Sequence, residues 1–181
     1  MYRKLDNCEL NRVSVPEFRS AGKTAVVLVL DNVRSQHNIG ASFRTADAFA
    51  VLRVVLCGIC ATPPSAEIRK AALGAEESVD WIYYENTADA VNDLIAEGFR
   101  IFSVEQTENS TSLDSFSPLK GERYALIFGN EVKGVSQKVI DMGEGTIVIP
   151  QFGTKHSLNV SVSVGVVLWE VVKKMREINN D

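Results

Sequence analysis

Phe128-Gly129-Asn130-Glu131-Val132-Lys133-Gly134-Val135-Ser136 and Ile149-Pro150-Gln151-Phe152-Gly153-Thr154-Lys155-His156-Ser157-Leu158-Asn159-Val160 are the two stretches whose reading decides the fold. Each leaves a short apolar run, crosses a polar loop containing glycine, and enters a helix-like segment. A strand that hands over to a helix in this way belongs to an α/β sheet. Such sheets bind ligands outside the carboxyl ends of their strands. Residues 126–164 are therefore the expected functional centre.

The same alternation extends outward from this segment. Residues 25–30, 54–59, 79–84, 100–104, 124–128 and 146–149 read as strands. Residues 40–51, 65–73 and 87–97 read as helices, with Ser65 and Asn86 or Thr87 as caps and Gly74 and Gly98 just past the ends. Residues 31–38 and 106–121 are expected to be loops. The C-terminal stretch is ambiguous, because Leu158, Val160, Val162, Val164 and Val166 alternate like a strand. Val160, Val164, Leu168 and Val171 equally mark one face of a helix, and apolar content that persists to Ile178 favours the helix. The pattern predicts an α/β protein with a mainly parallel sheet flanked by helices. Residues 1–24 are expected to be an N-terminal extension and 25–181 the main domain.

Composition sets outer limits. The 181 residues, 45% hydrophobic and 23% charged, fit one domain with a real core. The apolar runs are too short to span a bilayer, and the N-terminus lacks the apolar stretch of a signal peptide, so a cytoplasmic location is expected. A net charge of −4 does not advertise a nucleic-acid binder. Arg34, Arg44, Lys133 and Lys155, however, all fall in or beside the polar loops and allow a local basic patch. Cys57 and Cys60 have redox or half-zinc spacing, but no second pair accompanies them and they close a strand, so they read as structural.

Two common phosphate motifs are excluded. Four residues separate Gly129 from Gly134 as in a phosphate-binding loop, but Val135 stands where that loop needs lysine. Nor does a Gly-x-Gly-x-x-Gly follow the first strand. What remains is a set of polar side chains at strand ends: Asn38, Arg44, Glu131, Ser157 and Asn159. Taken singly, Asn38 and Ser157 read as helix caps, Asn159 as a first-turn residue and Arg44 as a surface ion-pair partner. Their combination is harder to explain structurally.

Asn38-Ile39-Gly40 with Arg44-Thr45-Ala46, then Phe128–Ser136, then Ile149-Pro150 with Ser157-Leu158-Asn159-Val160-Ser161-Val162, resemble the three motifs of the TrmH-like (SpoU) RNA ribose methyltransferases of the SPOUT superfamily. The similarity runs from about residue 25 to the C-terminus. It implies a SPOUT α/β-knot with a C-terminal trefoil knot, an exception to unknotted topology. It also implies S-adenosylmethionine as methyl donor, an RNA ribose 2′-hydroxyl as acceptor, and no metal. By position, the donor-binding residues are Val104, Gly129, Gly134, Ile149 and Leu158, with Ile149 and Leu158 flanking the adenine. Gly129 and Gly134 would then be backbone that approaches the ligand closely.

The resemblance further implies Arg44 as catalytic arginine, with Asn38, Glu131, Ser157 and Asn159 in support. A guanidinium with pKa above about 12 is a poor base, so orienting the hydroxyl and holding the adjacent phosphate is the easier role. His37 and His156 neighbour the motifs, and histidine is the residue type suited to taking a proton from the hydroxyl. A homodimer is implied, with Phe43, Trp169 and the Val-rich C-terminal helix as candidate interface or core. Many rRNA-modifying members of that family carry a separate N-terminal RNA-binding domain, for which residues 1–24 are too short, so tRNA is expected over rRNA as partner. A catalytically silent RNA-binding or assembly factor on the same fold, and an unrelated α/β ligand-binding domain, are the alternatives.

Overall fold

The structure, a computed structural model, describes residues 2–180. Before the sheet come a 3-10 turn, Asn7–Leu10, and a short helix α1 (Val15–Ser20). The strands are β1 (Thr24–Asp31), β2 (Val51–Cys57), β3 (Trp81–Tyr84), β4 (Phe99–Val104), β5 (Thr111–Ser112), β6 (Arg123–Phe128) and β7 (Gly145–Val148). The remaining helices are α2 (Gln36–Ala48), α3 (Ala66–Ala72), α4 (Ala75–Ser78), α5 (Thr87–Ala96), α6 (Gln137–Ile140) and α7 (Val160–Asn180). The strands form one sheet in the order β3-β2-β1-β6-β4-β7-β5, with every pairing parallel.

Central strands buried on both faces explain the continuous apolar runs in the sequence. Val26, Leu28 and Leu30 of β1 join Leu126 and Phe128 of β6 in one core, under α2 and α7. Val27 and Val29, with Ala125 and Ile127, face the other core with Val91 and Leu94 of α5 and Val139 of α6. Phe43 is fully buried in the first core, so it packs the monomer and offers no interface surface. Burying a side chain of that size is worth about 1.5–3 kcal/mol. The two cysteines settle as structural: Cys57 belongs to one core and Cys60 to the other. Burial pushes their thiols up to about 12 and about 11, so neither is a thiolate at neutral pH.

The C-terminal segment is a helix. α7 buries Val160, Val164, Val167, Leu168 and Val171 and leaves Val162, Val166 and Trp169 exposed. A strand would have put Val160, Val162 and Val164 on one face.

Several boundaries differ from expectation. α2 begins at Gln36, four residues early, because the Ser35 hydroxyl accepts from the Asn38 N–H and caps it. Asn38 is thus inside the first turn and is no cap. The run 54–59 is shifted, since β2 starts at Val51 and stops before Gly58, whose φ is +62°. α3 ends on Leu73 in left-handed conformation, and Gly74 opens α4. The expected loop 106–121 contains β5, which pairs with β7, and turns Leu113 and Phe116 into the core. The N-terminal extension carries α1, capped reciprocally by Ser14 and Glu17, and its Phe18 packs against the core.

Candidate active site

The carboxyl ends of β1, β6, β4 and β7 lie side by side, and the loops that follow β6, β4 and β7 form a cleft of about 720 Å³. Val104, Gly129, Gly134, Ile149 and Leu158 all line it, as do Glu131, Ser157 and Asn159. That volume falls within the ~300–1,000 Å³ usual for small-molecule sites.

The loop after β6 is held in shape by its own backbone. Asn130 and Gly134 pair across it, through Asn130 N–H to Gly134 O at 3.2 Å and Gly134 N–H to Asn130 O at 2.9 Å. The Asn130 carboxamide oxygen accepts from the N–H groups of Val132 and Lys133, and its Nδ2 donates to Asn32 O at 2.8 Å. A Cβ on Gly129 would lie 2.1 Å from the carbonyl carbon of Gly134. Gly134 has φ +66°, and a Cβ there would lie 2.1 Å from the Glu105 carboxylate. Both glycines line the cleft, and both also let the loop close upon itself and upon Glu105.

Glu105 and Asp31 were not singled out by the sequence. Glu105 Oε2 accepts from Val135 N–H at 3.0 Å and Oε1 from Gln106 N–H at 2.8 Å, at the floor of the cleft. Asp31 is buried at the end of β1, where one oxygen accepts from Thr87 Oγ1 at 2.5 Å and from Asn32 Nδ2 at 2.8 Å. Its other oxygen faces Ser136 N–H at 3.5 Å. The available signal was an acid directly after or at the end of a strand, on the edge already expected to bind ligand.

The three motifs meet in one hydrogen-bonded chain. The Glu131 carboxylate accepts from the N–H groups of Arg34 and Ser35, both at 3.0 Å, and from Asn38 Nδ2 at 3.2 Å. Asn38 Oδ1 accepts from Asn159 Nδ2 at 3.2 Å. Asn159 Oδ1 in turn accepts from the Ser161 N–H at 2.9 Å, capping α7. Asn159 is the cap and Ser157 is not. Burial resists ionisation of Glu131, but the hydrogen bonds from Arg34, its own N–H, Ser35 and Asn38 outweigh it, and the carboxyl lies below its ordinary range.

The other expected residues stand apart. Arg44 is exposed on α2, makes no hydrogen bond or ion pair among the described residues, and does not line the cleft. Six residues along a helix turn its side chain about 120° away from Asn38. Ser157 is exposed on the cleft wall without a hydrogen-bond partner among the described residues. His37 is exposed outside the cleft, whereas His156 lines it and its carbonyl accepts from Gln106 Nε2 at 2.6 Å. Arg34, Lys133 and Lys155 are also exposed. Among the described residues no group of three or more His, Cys, Asp or Glu is placed to hold a metal, and no helix is long and apolar enough to cross a membrane.

A family model described as the SpoU rRNA Methylase family matches residues 25–169. The chain belongs to this family. It is 34% identical over 166 residues to the 23S rRNA (guanosine-2′-O-)-methyltransferase RlmB of Haemophilus influenzae, covering 92% of this chain and 67% of that protein. It is 30% identical over 158 residues to the tRNA (guanosine(18)-2′-O)-methyltransferase of Aquifex aeolicus, covering 84% and 71%. The chain thus spans about two thirds of the length of these relatives. Among solved structures, the A. aeolicus TrmH/SpoU tRNA modifying enzyme aligns with a TM-score of 0.79 at 26% identity, covering 90% of this chain and 81% of that one. A protein studied for 2-OH methylation of C/U34 on tRNA aligns at 0.75 and 27% identity, covering 84% and 97%. An AdoMet-bound rRNA methyltransferase from Sinorhizobium meliloti aligns at 0.76 and 26% identity, covering 84% and 58%. The SpoU family is one of RNA 2′-O-methyltransferases that use S-adenosylmethionine, and its members act on tRNA and on rRNA.

Proposed function

We propose that this protein transfers a methyl group from S-adenosylmethionine to a ribose 2′-hydroxyl of structured RNA, with tRNA favoured over rRNA. The observation that carries the reading is the Glu131–Asn38–Asn159 chain beside the cleft, which joins all three motif segments. When bound, the donor supplies a methyl group made electrophilic by its sulfonium. The chain's own residues do the rest. Backbone at Val104, Gly129, Gly134, Ile149 and Leu158 lines the donor cleft, and half-buried Ile149 and exposed Leu158 offer apolar surface to its base.

Arg44 is free to hold the RNA phosphate next to the acceptor and orient its hydroxyl. Since Arg44 does not line its own protomer's cleft, the reading includes a homodimer in which it serves the partner's site. The exposed stripe of Val162, Val166 and Trp169 on α7 supports such a contact, with Trp169 61% exposed and meeting Phe49 edge-on. Asn38, Glu131 and Asn159 fix the relation of α2 to α7, and Ser157 supplies a hydroxyl at the cleft wall. The trefoil knot belongs to the same reading: β7 lies between β4 and β5, so residues 105–110 cross over its end. Residues 25–181 act as the catalytic domain, in the cytoplasm. The tilt toward tRNA rests on the compact tRNA-modifying neighbour that this chain covers almost entirely.

The test compares Arg44→Ala with the parent chain. Transfer of labelled methyl groups to tRNA is expected to fall at least 100-fold, about 2.7 kcal/mol, while donor affinity stays unchanged. Unimpaired transfer would remove Arg44 from the proposal, and transfer to rRNA alone would reverse the substrate preference.

A further inference from the structure

The sheet ends on one side at β3, a four-residue edge strand on which Trp81 and Tyr83 on one face and Ile82 on the other are 36%, 43% and 42% exposed. Native edges are blunted by shortness, lysine, proline or a bulge, and β3 is short but carries none of the other three. Asp80 and Tyr84 turn their carbonyls toward β2, accepting from Val54 N–H at 2.9 Å and Gly58 N–H at 3.0 Å. Because strand groups alternate, Trp81 and Tyr83 present their N–H and C=O groups outward.

The charge around this edge is one-sided. Residues 74–99 hold seven acids, Glu76, Glu77, Asp80, Glu85, Asp89, Asp93 and Glu97, and no lysine or arginine. Glu97 is paired with Arg53 and Glu77 with Arg69. Asp80, Glu85 and Asp89 are exposed and form no salt bridge among the described residues, although Lys23 is near enough to Asp80 for their charges to interact. The rest of the chain carries an excess of basic residues. The molecule is therefore polarised, with Arg34, Lys133 and Lys155 at the cleft end and an acidic, aromatic edge elsewhere.

From these observations we infer that β3 is a docking edge for a basic, extended protein segment that adds to the sheet as a further strand. Main-chain groups of Trp81 and Tyr83 supply the hydrogen bonds, while the aromatic side chains and Asp80, Glu85 and Asp89 select alternating apolar and cationic residues. RNA is repelled by the same acids. A second copy of this edge would bring seven acids against seven, so it too is disfavoured.

The chain contains two tryptophans, Trp81 and Trp169, so Trp169→Phe leaves Trp81 as the only tryptophan reporter. The probe is a capped decapeptide alternating lysine and valine. Controls are its glutamate counterpart, the lysine peptide with alternate backbone N-methylation, and a single-stranded RNA oligonucleotide. The lysine peptide is expected to shift Trp81 emission and to slow hydrogen exchange at the Trp81 and Tyr83 amides, while the three controls do neither. Tyr83→Pro removes an outward N–H and also the bond that the Tyr83 hydroxyl donates to Gly58 O at 2.8 Å, so Tyr83→Phe, which loses only that bond, is its control: the proline variant should bind at least tenfold more weakly than the phenylalanine one. Asp80→Lys with Glu85→Lys should do the same without altering the strand. Equal binding of the N-methylated peptide, binding of RNA, self-association lost in Tyr83→Pro, or no shift at all would each overturn the inference.

Discussion

Gly134→Ala puts the geometry of the cleft to a quantitative test. Residue 134 has φ +66°, where an L side chain costs roughly 1–2 kcal/mol. Its new Cβ would lie 2.1 Å from Glu105 Oε2, so the carboxylate must swing away and release the Val135 N–H it holds at 3.0 Å. A hydrogen bond to a charged group is worth about 1.5–3 kcal/mol. Together the two effects oppose the observed loop by roughly 2.5–5 kcal/mol. If this loop shape is what receives the methyl donor, that cost appears as lost affinity, on the order of 50-fold or more. Gly129→Ala should be worse, because its Cβ would meet backbone at 2.1 and 2.2 Å and the loop must open. Isothermal titration with S-adenosylmethionine, alongside thermal unfolding, separates affinity from global stability. Donor affinity within threefold of the parent in Gly134→Ala, or a milder effect for Gly129→Ala, would refute this account of the glycines.

Other expectations follow from the hydrogen-bonded chain and the exposed helix face. Asn38→Ala removes both the donor to Glu131 and the acceptor for Asn159, so methyl transfer should drop at least tenfold and chemical denaturation should show a loss of about 1–3 kcal/mol. Glu131 titrates below its ordinary value of 4.5 in the folded chain. Its stabilising contribution is therefore complete above that value and is lost as pH falls through the lower folded pKa. Unfolding by urea across the acid range should show a shallower pH slope for Glu131→Gln than for the parent. Trp169→Glu places a charge in the exposed α7 stripe, and sedimentation should report a monomer whose methyl transfer has also fallen.

Much of this was legible in the sequence because parallel strands buried on both faces are written as continuous apolar runs. The C-terminal helix was recovered by length, even though Leu158 to Val166 alternate like a strand. What was illegible depended on contacts between distant segments. No local pattern reveals that Gly129 faces Gly134 backbone, so the part both glycines play in closing the loop was not visible beside their place at the cleft. Glu105 and Asp31 were passed over because an acid beside a strand is ordinary until its oxygens meet N–H groups from a loop some 30 or 105 residues away. Ser35 shifted the start of α2 by supplying a cap that a polar stretch concealed. Ser14 and Glu17 stand at capping-box spacing, a local signal for α1 that the reading of residues 1–24 as an extension passed over. Arg44 was identified by motif position, but its orientation away from the cleft is visible only in three dimensions.

The most direct measurement is to incubate the purified chain with tRNA and S-adenosylmethionine bearing a deuterated methyl group, then digest the RNA to nucleosides for mass spectrometry. The label is expected on a ribose 2′-oxygen at a defined nucleotide, dependent on Arg44 and Asn38. Label on a base, or none on tRNA and rRNA alike while the donor still binds, would contradict it.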